Sequence, residues 1–281
     1  MNRKETTHDH TTPASEPVFR PSVHRSTAPP NLLPHTPQYA LRGTLPNTPL
    51  AVSVISALLG GLAIGSLVCA FQPVLRAMGA YEWGWARPQL GLYGVAMGAY
   101  HLWEFWTTAG WNTQKLSVDS FLLNNGRQYH IAHAFGLAEY FTSSFFFPEK
   151  FDSWYCSQPF LYAVVALLVA AQVVRSLAMI HANKSFSHIV KNVKLDDHTL
   201  ITHGVYAYSR HPSYVGFFYW AIATQLLLGN IVSAIAFVFI LARFFSHRII
   251  DEEKHLVKFF GDEYVAYRKR VGTLLPFKTS A

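Results

Sequence analysis

The chain has 281 residues, of which 51% are hydrophobic, 15% aromatic and only 14% charged, with a formal net charge of +7. Soluble domains carry about 25% charged residues, so a surface this poor in charge cannot face water on all sides, and several windows approach the ~20 apolar residues that cross a bilayer. The composition predicts an all-α polytopic membrane protein whose basic excess sets topology rather than binding nucleic acid.

Residues 1–48 open the chain, and nine of the 15 prolines fall at or before residue 49. With few large aliphatic side chains, this stretch cannot offset its ordering entropy, and it reads as a disordered cytosolic tail. It lacks the charged start, apolar core and small-residue cleavage site of a secretory signal. Residues 49–182 then read as four transmembrane helices, and residues 183–281 as a catalytic region made of a cytosolic loop, a helical hairpin of two further spans and a C-terminal helix.

The six spans are expected at about 51–71, 90–108, 131–147, 160–180, 213–228 and 231–245. The first carries Gly61-x-x-x-Gly65 and the second Gly94-x-x-x-Gly98, spacings that let helix backbones approach closely. The turn Gly229-Asn230 joins the last two, which are short enough to span with little tilt. Cys69 lies in the first span and Cys156 in a loop, without CxxC or Cys/His spacing. That excludes a thiolate zinc site or a disulfide scaffold and leaves both as packing residues. No metal site is expected.

An even number of spans puts both termini on one side. Most of the 23 Lys and Arg fall on that side, and the opposite side holds Arg76, Arg87 and Lys150. The positive-inside rule therefore places both termini in the cytosol, together with the mouth of the last hairpin. An extra crossing at Tyr81–Trp85 would change that tally.

His101, Glu104, His133 and Glu139 lie inside or at the edge of the second and third spans. Ionisable groups in lipid are costly and mark functional candidates, although hydrogen bonding across neighbouring helices that fixes their packing accounts for them better. His101 and Glu104 share a helix face, but a di-metal site needs such a pair from two helices with further carboxylates. The sequence offers one imperfect copy.

The last third is more specific. Arg248 and Glu252 are four apart on one helix face, a spacing that usually makes a surface ion pair of small worth. Here the pair leaves an apolar span beside an aromatic-rich wall. A planar guanidinium there suits a carboxylate or phosphate, and a carboxylate one turn on suits an ammonium. His211-Pro-Ser-Tyr214 opens the hairpin, with Pro212 at a helix start and first-turn N–H groups open to a polar ligand.

These residues resemble a family. Asp197-His-Thr-Leu200, Gly204-Val-Tyr206, Ser209-Arg-His-Pro-Ser-Tyr-Val-Gly-Phe-Phe218, Arg248-x-x-x-Glu252-Glu253, Phe259-Phe-Gly-Asp-Glu-Tyr264 and Leu275-Pro-Phe277 are similar to isoprenylcysteine carboxyl methyltransferases. A looser likeness reaches Lys184-Ser-Phe-Ser-His-Ile-Val190 and His101-Leu-Trp-Glu-Phe105, so that it covers roughly residues 50–277. The span count resembles the fungal form of the family. The Arg-His-Pro-x-Tyr-x-Gly core alone is shared with other membrane methyltransferases and, more distantly, with sterol reductases.

The resemblance implies an endoplasmic-reticulum membrane enzyme that transfers a methyl group from S-adenosyl-L-methionine to the α-carboxylate of a C-terminal prenylated cysteine in CaaX-processed proteins. Its partners are then farnesyl- or geranylgeranyl-cysteine proteins and the lipid bilayer. Carried over by position, the cofactor contacts are Lys191, His198, Thr199, Leu200, Ile201, Tyr206, His211, Pro212, Ser213, Tyr214 and Glu252. Lys191 stands where some relatives carry Gln. Arg248 is the implied substrate-binding and catalytic residue.

A free α-carboxyl has a pKa of about 3.5, so the nucleophile is already ionised in the cytosol and the sequence need not supply a general base. The division of labour expected is Arg248 on the substrate carboxylate and Glu252 on the cofactor's ammonium. The aromatic residues between His101 and Trp111 are expected to border a side entrance for the prenyl chain. Two other readings stand beside this one. A phospholipid N-methyltransferase would share the Arg-His-Pro half but has no use for an arginine beside its amine substrate. A small transporter would use His101, Glu104 and Glu139 as pathway residues, but no internal repeat accompanies them.

Overall fold

A computed structural model describes residues 32–33, 41–43, 45–79, 84–189 and 199–278. Among them the regular structure is entirely helical, as the composition requires. Seven α-helices follow in order: α1 Pro49–Ala70, α2 Gln72–Ala77, α3 Pro88–Trp111, α4 Arg127–Phe146, α5 Gln158–Ala182, α6 Pro212–Leu227 and α7 Ile231–Arg270. Short 3₁₀ turns join several of them. Proline sits in the first turn of α1, α3, α5 and α6, where its missing N–H costs nothing and its fixed φ favours the helix. At α1 the Thr48 hydroxyl adds a cap by accepting from the Ala51 N–H at 3.2 Å.

The six long helices alternate in direction. At one end Glu104 of α3 meets Arg175 of α5, and Arg175 in turn reaches Ser213 at the start of α6. At the other end the Tyr140 hydroxyl of α4 donates to the Trp85 carbonyl at 2.8 Å, and the Asn230 amide donates to the Gly136 carbonyl at 2.7 Å. Between them lies a core of large buried side chains, with Trp220 stacked on Tyr100 at 4.2 Å.

Three stretches, Pro49–Ala70, Gln158–Ser185 and Ile231–Arg270, are long and apolar enough to cross a membrane. The other three long helices fall short for physical reasons. At 16 residues α6 is below the roughly 17–25 a spanning helix uses. Helices α3 and α4 instead turn polar side chains inward, among them His101, Glu104, Thr107 and Thr108 on α3 and His133, Ser143 and Ser144 on α4.

The sixth expected span was bounded at Phe245, but α7 does not stop there. It continues as a 40-residue element to Arg270, with a break at Gly261, whose φ of +54° is a conformation that favours glycine. The close approach of α1 and α3 expected from their glycines is made by those of one helix only. Gly61 and Gly65 meet nothing within 4 Å. It is Gly91, Gly94 and Gly98 of α3 that let the backbones touch, since a Cβ on Gly98 would sit 2.7 Å from the Leu59 carbonyl.

The end of the expected N-terminal tail is also built in. Asn47 is buried and its side-chain oxygen accepts from the Val118 N–H at 2.9 Å, while the Arg42 guanidinium donates to the His188 carbonyl at 3.1 Å. The rest of residues 1–48 falls largely outside the described residues, as does most of the Tyr81–Trp85 stretch.

Helices α5 and α6 also pack closely. A Cβ on Gly216 would lie 2.7 Å from both the Ala171 carbonyl and the Arg175 Cβ. Gly216→Val is therefore expected to force the helices apart at a cost of about 2 kcal/mol or more, read as a lower melting temperature in detergent. An unchanged melting temperature would contradict this packing.

Candidate active site

The first turn of α6, the middle of α7 and the loops before them enclose one cavity of about 780 Å³. Its polar wall comes from the segment that the sequence singled out. Arg248 and Glu252 stand one turn apart on α7, and both reach Tyr214 of α6. The Arg248 Nε donates to the Tyr214 hydroxyl at 2.9 Å, and that hydroxyl donates to the Glu252 Oε2 at 2.5 Å. The two charges are thus joined through a phenol. A second Arg248 nitrogen donates to the His188 carbonyl at 2.7 Å, so the guanidinium plane is fixed from two directions.

His211, the residue before the helix, lies parallel to the Tyr214 ring with centroids 5.5 Å apart and an interplanar angle of 2°. Its Nδ1 is 4.0 Å from the Glu252 Oε2 and its Nε2 is 3.2 Å from Glu253 Oε1. Pro212 opens the helix and Ser213 receives Arg175. The open N–H groups expected here are partly taken, because the Tyr214 and Val215 N–H groups both turn back to the His211 carbonyl.

Thr199, Leu200, Ile201 and Tyr206 line the same cavity. The Thr199 N–H approaches the Ser185 hydroxyl at 3.4 Å, and the Tyr206 hydroxyl donates to the Ala178 carbonyl at 3.2 Å. Burial raises the Tyr206 phenol above its usual range, so it stays protonated at neutral pH. Every described residue among the expected contacts therefore borders one space. Lys191 and His198 lie outside the described residues.

Tyr129, Ala132 and His133 of α4 and Phe237, Leu241 and Phe244 of α7 also line the cavity. Of the tryptophans expected at a side entrance, Trp103, Trp106 and Trp111 are half-exposed and do not line the cavity; of α3, Tyr100 does. The lining also crosses the expected boundary at residue 183, since Tyr100, Tyr129 and Arg175 precede it.

Arg175 is the site residue that the sequence reading passed over. It is 6% exposed and pairs with both carboxylate oxygens of Glu104, itself 1% exposed. It also donates to the Ser213 carbonyl and hydroxyl at 3.3 and 3.2 Å, and it lies over the rings of Phe217 and Tyr100. An arginine and a glutamate in separate apolar helices, each costly alone, were the signal that they pair.

The other ionisable candidates of α3 and α4 have structural partners. His101 bonds to the Phe121 carbonyl at 2.7 Å and to the Tyr129 hydroxyl at 3.1 Å; His133 bonds to the Tyr93 hydroxyl at 2.9 Å. Glu139 accepts from the Val232 and Ser233 N–H groups and so satisfies the first turn of α7. Among the described residues no group of three His, Cys, Asp or Glu could hold a metal ion. His188 lies beside Arg175, Arg42 and Arg248, and desolvation first, then these charges, hold its imidazole well below the usual range. It is a neutral ring whose backbone, not side chain, orients Arg248.

Residues 164–258 match the family model described as isoprenylcysteine carboxyl methyltransferase. The chain is 46% identical over 188 residues to the protein-S-isoprenylcysteine O-methyltransferase of Saccharomyces cerevisiae, covering 66% of this chain and 79% of that one. It is 43% identical over 222 residues to the enzyme of the same name from Schizosaccharomyces pombe, covering 75% and 93%. Among solved structures, that of a eukaryotic intramembrane Ras methyltransferase superposes with a TM-score of 0.74 at 33% identity, covering 82% of this chain and 77% of that one.

Proposed function

This chain belongs to the isoprenylcysteine carboxyl methyltransferase family, and we propose on that footing that it esterifies the C-terminal α-carboxylate of prenylated cysteine in CaaX-processed proteins, with S-adenosyl-L-methionine as methyl donor. The observation that carries the reading is the cavity itself. Its lining joins Arg248, Tyr214, Glu252 and His211 with apolar side chains of α6 and α7, among them Phe217, Phe237, Leu241 and Phe244. A lipid with a carboxylate head needs both kinds of wall at once, the apolar side chains taking its prenyl chain.

The polar wall fits the donor by the chemistry of its groups. Glu252 and His211 offer acceptors to an ammonium, and Leu200 and Ile201 offer apolar wall and backbone. When bound, S-adenosyl-L-methionine supplies an electrophilic methyl on a sulfonium. Arg248 steers the substrate carboxylate and holds it, and its bonds to Tyr214 and His188 limit how far it can wrap and quench that nucleophile. The apolar walls exclude water, which favours a step that merges opposite charges. Orientation within such a pocket can lower a barrier by about 7–11 kcal/mol. No proton acceptor is required, because the carboxylate arrives ionised.

The membrane placement follows the same logic. Six crossings with both termini cytosolic put this cavity at the cytosolic surface of the endoplasmic reticulum, where a water-soluble donor and a lipid-anchored substrate meet. Residues 183–281 would then be the catalytic region on a scaffold of residues 49–182.

The test is methyl transfer by the purified chain from labelled donor to N-acetyl-S-farnesylcysteine against phosphatidylethanolamine. Base-labile label on the cysteine conjugate is the expected result. Base-stable label on the lipid would point to a phospholipid N-methyltransferase, and no transfer to either would remove the enzyme reading.

A further inference from the structure

Glu253 is buried one layer behind the cavity wall. It is 3% exposed and does not itself line the cavity, yet its Oε1 takes two nitrogens of Arg210 at 2.8 Å and lies 3.2 Å from the His211 Nε2. Arg210 and His211 both line the cavity. The other carboxylate oxygen is 3.7 Å from Arg268, beyond the break in α7.

A carboxylate only accepts, so the hydrogen in its bond to His211 belongs to the imidazole Nε2. A neutral ring held that way carries its lone pair on Nδ1. That Nδ1 faces the Glu252 Oε2 across 4.0 Å, with the Tyr214 hydroxyl already donating to the same oxygen at 2.5 Å. Two acceptors that face each other across such a gap suit a cation with several N–H groups.

We propose that Glu253 is a positioning residue which holds His211 in its Nε2–H form, so that Nδ1 and the Glu252 carboxylate together seat the ammonium group of the methyl donor. The inference rests on the reading of His211 and Glu252 as donor-binding residues. It adds what fixes the ring and which donor group the pair selects.

The experiment compares two ligands by equilibrium titration on the full chain in detergent. One is S-adenosylhomocysteine; the other, 5′-S-(3-carboxypropyl)-5′-thioadenosine, lacks only its amine. The wild type is expected to prefer the amine-bearing ligand by about tenfold or more, the scale of one charge-assisted hydrogen bond. Glu253→Met removes the acceptor at similar shape and should abolish most of that preference, whereas Glu253→Gln keeps an oxygen toward His211 and should retain it. Equal weakening of both ligands in Glu253→Met, or full retention of the preference, overturns the proposal. If that variant does not fold, the ring decides. His211→Asn keeps an acceptor near the Nδ1 position and should discriminate better than His211→Gln, and equal discrimination overturns the proposal. A wild type that binds neither ligand fails the donor-site reading itself. One that binds both equally fails only the ammonium seat.

Discussion

Arg248→Ala is expected to lower kcat/KM for N-acetyl-S-farnesylcysteine by about 10²–10³-fold, the scale seen when one preorganised donor is removed from a charged transition state. Binding of S-adenosylhomocysteine should change by less than about threefold. The split follows from the wiring. Arg248 and Glu252 touch through the Tyr214 hydroxyl rather than directly, so loss of the guanidinium leaves the Tyr214–Glu252 bond intact at the proposed donor end. Arg248→Lys should recover little. An ammonium is a point charge and cannot hold the Tyr214 and His188 contacts in one plane. Loss of donor binding with normal prenylcysteine binding would reverse the roles of the two residues.

The sequence made this end of the molecule legible because its chemistry is local. His211-Pro212 marks a helix start by backbone rules, and Arg248 with Glu252 shares a face by helix geometry. Where the long helices begin was equally readable from prolines and apolar runs. What stayed hidden depended on distance in the chain. Tyr214 is 34 residues from Arg248 and 38 from Glu252, and no periodicity announces that its hydroxyl stands between them. The glycines of α1 and those of α3 carry the same small-residue spacing, and only packing decides that α3 uses its own while α1 leaves Gly61 and Gly65 unopposed. The polar residues that lower the apolarity of α3 and α4 are buried against the rest of the protein, which a one-dimensional count cannot show.

Arg175 and Glu104 are the sharpest case, and they carry the second expected result. Their separation of 71 residues hides a pair in which both partners are almost fully buried. Glu104→Ala leaves a guanidinium uncompensated among Tyr100, Phe217 and the α5–α6 contact, and breaking a buried pair from one side costs about 3–5 kcal/mol. A large fall in melting temperature in detergent is expected. The double replacement Glu104→Leu with Arg175→Met removes both charges together. Buried pairs exchanged for apolar residues of similar volume are often neutral in stability, so most of the lost melting temperature should return. Methyl transfer should not return with it, because Arg175 also lines the cavity and fixes the Ser213 carbonyl and hydroxyl at the start of α6. A double variant with restored stability and full activity would reduce the pair to scaffold. One that is stable and inactive would show that the first turn of α6 needs this arginine to present His211 and Tyr214 to the substrate.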